Sequence, residues 1–228
     1  YQSYVHKMLT GRAEAYLDES RFGEVTGFTN PLESEHDSFV LGHTGTSISL
    51  ACGLAKTRDM QRTAAGASEI GNVIAIIGDG SLSSAIAFEG LNNAAEQGGN
   101  LIIVVNDNEM SIAEDFGGMY GNLARLRASN GTAELNLFKA FGLDYRYVEQ
   151  GNDVDTLVAA LEDLKDIDHP VVLHIHTTKG LGFSDETEAQ DGSDGCNQTN
   201  PQPHAGQCEA NHWQDPDSAL GKPRDARK

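Results

Sequence analysis

Two short runs of apolar residues, at positions 73–77 (VIAII) and 101–105 (LIIVV), constrain the fold of this chain more than any other feature of its sequence. Each run is continuously apolar and rich in β-branched residues, which is typical of a strand buried on both faces of a parallel sheet. Two further strands are predicted at residues 144–149 and 171–177, and helical patterns alternate with the strands at residues 46–56, 83–97, 134–141 and 154–164. We therefore predict an α/β fold in which a parallel sheet carries helices on both faces.

The charge balance excludes some classes of partner. The chain has 228 residues, of which 34 are acidic and 16 are basic, so its formal charge is −18. Nucleic acids and anionic membrane surfaces are bound by clustered Lys and Arg, so we expect neither as a partner. No apolar run is long enough to span a membrane, and the opening residues do not resemble a signal peptide. Three cysteines without a Cys-x-x-Cys pair argue against a disulfide framework or a zinc site and predict a cytoplasmic location.

Two stretches of the chain are poor in apolar residues and are predicted to lie outside the core. Residues 57–72 are predicted to form a loop or a frayed helix end. Residues 184–228 are acidic at first and then rich in Gln, Asn, Pro and Gly. Such a composition buries too little apolar area to offset the entropy of ordering.

Polar clusters follow the two strongest strands. Residues 78–81 (Gly-Asp-Gly-Ser) follow the first strand, and residues 106–108 (Asn-Asp-Asn) follow the second. Ligands of open α/β sheets bind at the carboxyl ends of the strands, and glycines let the backbone approach a ligand closely. Residues 81–83 are predicted to open the next helix, whose amides suit a phosphate. Asp79 and Asn108 offer the hard oxygen atoms that Mg²⁺ prefers. Either cluster alone is a good turn, but the two together favour a binding site.

This pairing resembles the thiamine diphosphate motif, a Gly-Asp-Gly followed by an Asn at a later strand end. In that motif the Asp, the Asn and a main-chain carbonyl two residues on hold Mg²⁺, and the matching positions are Asp79, Asn108 and Met110. Four segments resemble the 1-deoxy-D-xylulose-5-phosphate synthase family: residues 2–12 (QSYVHKMLTGR), 42–55 (GHTGTSISLACGLA), 78–114 and 177–183 (TTKGLGF). The resemblance covers residues 1–183.

The resemblance implies a thiamine diphosphate-binding fold, with thiamine diphosphate and Mg²⁺ as cofactors. It places Gly42, His43 and Thr44 along the cofactor site, and Gly80 and Ser81 against the diphosphate. Phe183 stands where the family usually has a Tyr near the thiamine. The family's catalytic His is expected at His212, with His204 as a rival position.

The resemblance also implies a division of the protein into parts. Residues 1–183 are expected to form the diphosphate-binding domain, incomplete at its N-terminus. Residues 184–228 are expected to be an insert and linker toward a pyrimidine-binding domain, supplied in cis or in trans. The implied substrates are pyruvate and glyceraldehyde 3-phosphate, and the implied assembly is a homodimer.

Two alternatives remain open at this point. One is a transketolase-type subunit that transfers a ketol group between sugar phosphates, and the other is a non-catalytic α/β binding module. Four basic residues are candidates for binding a substrate phosphate: Lys7, Arg12, Arg125 and Arg127. Basic residues in such positions are more often solvated surface charges than phosphate ligands.

Overall fold

The computed structural model describes residues 2–66, 70–110 and 116–181. Several sequence predictions fall outside the described residues: those on Phe183, on His204 and His212, and on the acidic insert of residues 184–228. No helix in the described ranges is both long enough and apolar enough to cross a bilayer.

Four parallel strands form the sheet seen in these ranges, and each overlaps a predicted strand. They are β1 (Ile74–Gly78), β2 (Leu101–Asp107), β3 (Asp144–Val148) and β4 (Pro170–His176). Their order across the sheet is β1-β2-β4-β3. Gly78 of β1 is level with Asn106 of β2, and Asp107 of β2 is level with His176 of β4. The carboxyl ends of three neighbouring strands therefore meet at one edge.

Helices cover both faces of this sheet, as predicted. The α-helices of the described ranges are α1 (Gln2–Lys7), α2 (Glu14–Leu17), α3 (Ser47–Ala65), α4 (Asp79–Leu82), α5 (Ala85–Gln97), α6 (Gly118–Ala128), α7 (Leu137–Ala140) and α8 (Val154–Leu164). On one face, buried residues of α3 to α7 pack against Ala75, Ile103 and Val172 of the sheet. On the other face, α8 packs against Ile102, Val171 and neighbouring residues of β2 and β4.

The prediction that residues 57–72 lie outside the core is wrong for their first half, because α3 continues to Ala65. Arg58 on this helix is fully buried. Its guanidinium donates to the carbonyl oxygen of Asn100 at 2.7 Å and to that of Gly71 at 3.3 Å. The side-chain amide of Asn100 in turn donates to the carbonyl oxygen of Ile167 at 2.8 Å. Satisfied hydrogen bonds, rather than apolar area, make the burial of this arginine possible.

Ion pairs tie the segment of residues 7–12 to the loop after α2. The Lys7 ammonium is fully buried and lies 2.6 Å from the Glu33 carboxylate. Arg12 donates to both carboxylate oxygens of Asp37, each at 2.8 Å. The prediction that Lys7 and Arg12 are solvated charges is therefore wrong. Burial raises the pKa of Glu33, but hydrogen bonds from Lys7 and Thr26 outweigh this effect and lower it from 4.5 to about 2.

Candidate functional site

Asp79 lies where the ends of β1 and β2 meet. The strand β1 ends at Gly78, and Asp79 begins the short helix α4. Its side chain is buried, and its two carboxylate oxygens accept from two different segments. Oδ1 accepts from the backbone amide of Gly80 at 2.8 Å, and Oδ2 accepts from the backbone amide of Asn108 at 3.0 Å. The carboxylate thus joins the two polar clusters that the sequence predicted to lie together.

The loop after β2 turns sharply around Asn108. Asp107 Oδ1 accepts from the amide of Glu109 at 3.1 Å, and Asn108 Oδ1 accepts from the amide of Met110 at 3.2 Å. Glu109 has a φ of 67°, in the left-handed region that residues with side chains rarely adopt. The Asn108 backbone amide contacts Asp79, and the Asn108 side-chain oxygen contacts the Met110 amide, so the turn connects these three residues. A carboxylate, a side-chain amide and a backbone carbonyl are the hard oxygen set that suits Mg²⁺, so these residues fit the implied metal.

A glycine joins the predicted cofactor loop of residues 42–44 to the segment after β1. Gly45 is buried and has a φ of +85°. A Cβ atom at this position would lie 1.7 Å from Ser84 Oγ and 3.2 Å from the carbonyl oxygen of Ser81. The loop therefore packs directly against the turn that contains Gly80 and Ser81. The three loop residues predicted to line the cofactor site are exposed: Gly42, His43 and Thr44.

The helix predicted to open at residues 81–83 is divided in two. Gly80 and Ser81 belong to the single turn of α4, and the long helix α5 begins only at Ala85. Ser84 adopts an extended backbone between them, and its hydroxyl caps α5 by accepting from the amide of Ala87 at 3.3 Å. A serine in the N-cap position is a strong start signal, which explains why the long helix begins here and not earlier.

A buried polar chain runs from the loop into the sheet. Asp107 Oδ2 lies 2.8 Å from His174 Nε2, and His174 Nδ1 lies 2.7 Å from the Tyr145 hydroxyl. Burial raises the pKa of Asp107, but the hydrogen bond from His174 and the charge of Arg127 outweigh this effect. The pKa of Asp107 is therefore lowered overall. An ionised Asp107 only accepts, so His174 Nε2 donates to it.

Arg127 on α6 reaches the same loop. It donates to Asp107 Oδ2 at 2.5 Å and to Glu109 Oε2 at 3.0 Å. The other Glu109 oxygen lies 3.0 Å from His176 Nε2, and His176 Nδ1 lies 3.2 Å from Glu149. The prediction that Arg127 is a solvated charge is wrong, since only 14% of its side chain is exposed. Arg125, two residues earlier, is exposed as predicted.

Three members of this cluster were not predicted from the sequence: His174, Tyr145 and His176. One signal was available for His174, because it interrupts the apolar run of a strand buried on both faces. A polar side chain in such a position must find a partner. Nothing comparable marks Tyr145, whose aromatic ring is an ordinary strand residue.

The fold is similar to that of a solved transketolase. The solved structure of transketolase from Campylobacter jejuni matches it with a TM-score of 0.51 and 21% identity, over 67% of this chain and 23% of that chain. At this level of identity the similarity concerns the fold alone.

The family follows from sequence similarity. A family model described as 1-deoxy-D-xylulose-5-phosphate synthase matches residues 1–136 and 130–177. The chain belongs to this family. The 1-deoxy-D-xylulose-5-phosphate synthase of Bacteroides thetaiotaomicron is 36% identical over 225 residues, covering 81% of this chain and 33% of the relative. That of Parabacteroides distasonis is 34% identical over 230 residues, covering 83% of this chain and 35% of the relative. The chain thus spans about a third of the length of these relatives.

Proposed function

We propose that this chain is the diphosphate-binding part of a thiamine diphosphate- and Mg²⁺-dependent transferase. In the complete protein, this transferase condenses pyruvate with glyceraldehyde 3-phosphate, releasing carbon dioxide and forming 1-deoxy-D-xylulose 5-phosphate. The observation that carries the proposal is the contact of Asp79 Oδ2 with the amide of Asn108 at 3.0 Å. It joins the two halves of the motif at the carboxyl edge of the sheet, where ligands of such folds bind.

Each residue of the site has a proposed task. Asp79, the Asn108 side chain and the Met110 carbonyl would hold Mg²⁺, and Gly80 and Ser81 would contact the diphosphate. The loop of residues 42–44 would line the cofactor, together with Phe183. The cofactor supplies the carbanion chemistry when it is bound, and the protein supplies position and electrostatics. His212 remains the proposed catalytic histidine.

The remaining parts of the proposal concern partners and location. A pyrimidine-binding domain, in cis or in trans, would complete the cofactor site, and the complete enzyme would be a cytoplasmic homodimer. Support for the additional domain comes from the family relatives, which are about three times as long as this chain.

Titration calorimetry of the complete protein with thiamine diphosphate and Mg²⁺ tests the metal site. Asp79→Ala should abolish Mg²⁺-dependent binding of thiamine diphosphate, because it removes the charged ligand of the predicted set. Asp163→Ala is the matched control, since Asp163 is an exposed carboxylate on α8. Unchanged affinity in the Asp79 variant would show that the site assignment is wrong.

The transketolase fold supports a second candidate, the transfer of a ketol group between sugar phosphates. The two reactions are distinguished on the complete enzyme by carbon dioxide release from pyruvate that depends on glyceraldehyde 3-phosphate. We expect this release. If pyruvate is inert while a ketose phosphate is cleaved, the second candidate replaces the first.

A further inference from the structure

We propose that Arg127 is a positioning residue for the loop of residues 107–110. Its guanidinium would hold the residues on either side of Asn108 and so fix the direction of the Asn108 side chain and of the Met110 carbonyl. This inference rests on the proposed function, because it assigns a role toward the Mg²⁺ and thiamine diphosphate proposed above.

The two contacts of Arg127 flank the proposed metal ligand. Nη1 donates to Asp107 at 2.5 Å and Nη2 donates to Glu109 at 3.0 Å, and Asn108 lies between these residues in the chain. The planar guanidinium fork has fixed donor directions, so it holds two carboxylates in a defined relation that a single ammonium group does not.

Glu109 is the residue that most needs this restraint. Its left-handed backbone, with a φ of 67°, turns the chain between Asn108 and Met110. Such a conformation is unfavourable for a residue with a side chain and persists where the surroundings hold it. Arg127 holds one carboxylate oxygen of Glu109, and His176 at the end of β4 lies 3.0 Å from the other.

The second carboxylate that Arg127 contacts, that of Asp107, is anchored in the core. The Asp107 side chain is 1% exposed and is held by His174, which is fully buried. The hydroxyl of Tyr145 on β3 completes this anchor at 2.7 Å from His174. The position of Glu109 is therefore tied, through Arg127, to side chains in the interior of the sheet.

A simple charge effect predicts the opposite result from positioning. Arg127 is a cation near the proposed metal site, so its removal should strengthen cation binding if only its charge matters. If the arginine positions the loop, its removal should weaken cation binding. Arg127→Lys keeps the charge and loses the fork, so a charge effect predicts no change for it, whereas positioning predicts a loss.

The test measures binding of Mn²⁺, which shares the preference of Mg²⁺ for oxygen ligands. Free Mn²⁺ is followed by electron paramagnetic resonance in the complete protein, with saturating thiamine diphosphate. Arg127→Gln is expected to weaken Mn²⁺ binding by about tenfold or more, the usual effect of losing an outer-shell partner. Arg127→Lys should also weaken it. The matched control is Arg125→Gln, a loss of the same charge from an exposed site on the same helix, which should stay within about twofold because solvent screens it.

Thermal unfolding of each variant separates positioning from loss of fold, because a merely structural role lowers the melting temperature without changing the Mn²⁺ affinity of the folded protein. If Arg127→Gln does not fold, Arg127→Lys decides the question. Wild-type affinity in both arginine variants, or tighter binding in Arg127→Gln, would overturn the proposal while leaving the metal site intact. A wild-type protein without thiamine diphosphate-dependent Mn²⁺ binding would instead refute the proposed function, and this inference with it.

Discussion

Replacing Gly45 by alanine tests the packing of the predicted cofactor loop on the turn after β1. The substitution has two separable costs. A left-handed backbone with a side chain costs about 1–2 kcal/mol. The new Cβ would also lie 1.7 Å from Ser84 Oγ and 2.8 Å from Ser84 Cβ, so Ser84 must move and give up its cap on α5. A lost cap costs about 1 kcal/mol and overpacking about 1–3 kcal/mol.

The reduced entropy of the unfolded chain returns about 0.4–1 kcal/mol, so we expect a net loss of about 2–5 kcal/mol for Gly45→Ala. Gly142 is a matched control, because its φ is +87° and its Cβ would meet no atom within 4 Å among the described residues. Gly142→Ala should therefore cost about 1 kcal/mol or less, the backbone contribution alone.

The assay is hydrogen exchange of the α3 and α5 amides in the complete protein, which reports the free energy of local opening. A second substitution, Ser84→Gly, removes both clashing atoms and should restore most of the stability of Gly45→Ala, with only a few tenths of a kcal/mol lost from the cap. Equal losses in Gly45→Ala and Gly142→Ala, or no rescue by Ser84→Gly, would refute the reasoning.

Two further predictions concern stability. The pKa of Glu33 is lowered from 4.5 to about 2, so its ion pair with Lys7 contributes fully above pH 4.5 and is lost as the pH falls toward 2. This contribution is about 3 kcal/mol, and Glu33→Gln should flatten that part of the acid dependence of urea unfolding midpoints. Gly90→Ala on α5 would place a Cβ 2.9 Å from Ile48 and should destabilise the α3–α5 contact by about 1–2 kcal/mol. By contrast, a Cβ at Gly53 on α3 would meet no atom of the described residues within 4 Å, so Gly53→Ala should stabilise the helix by about 0.5–1 kcal/mol. Opposite shifts in melting temperature are the expected result, and shifts of the same sign would contradict it.

The sequence predicts the strands of this fold well and its irregular helices poorly. The runs at residues 73–77 and 101–105 are unambiguous because a doubly buried strand has almost no polar residues. The helix α6 was not predicted, since its sequence GMYGNLARLRA has two glycines and little apolar periodicity. Leu123 and Leu126 are fully buried against the sheet and stabilise the helix in spite of its weak propensity.

The candidate site also combines features that the sequence predicts with features that it does not. The juxtaposition of Asp79 and Asn108 was predictable, because parallel strands bring their carboxyl ends to one edge. The roles of Arg127 and Glu109 were not, because they depend on where α6 lies relative to the loop. A list of charged residues in sequence order contains no such information, and Arg125 and Arg127 are equivalent until the helix is placed.

The buried contacts of Arg58 have a consequence for how this protein tolerates change. They join α3 to the chain just before β1 and β2, and Asn100 extends the connection to the turn before β4. Three strands are thereby fastened at their amino ends, while the proposed metal ligands Asp79 and Asn108 lie at the opposite edge of the sheet. Mutations in the two regions should then have different phenotypes: substitutions of Arg58 or Asn100 lower the amount of folded protein in the cell, and substitutions in the loops after β1 and β2 change what the folded protein binds. A lineage could therefore alter its specificity at one edge without losing the scaffold that the other edge maintains.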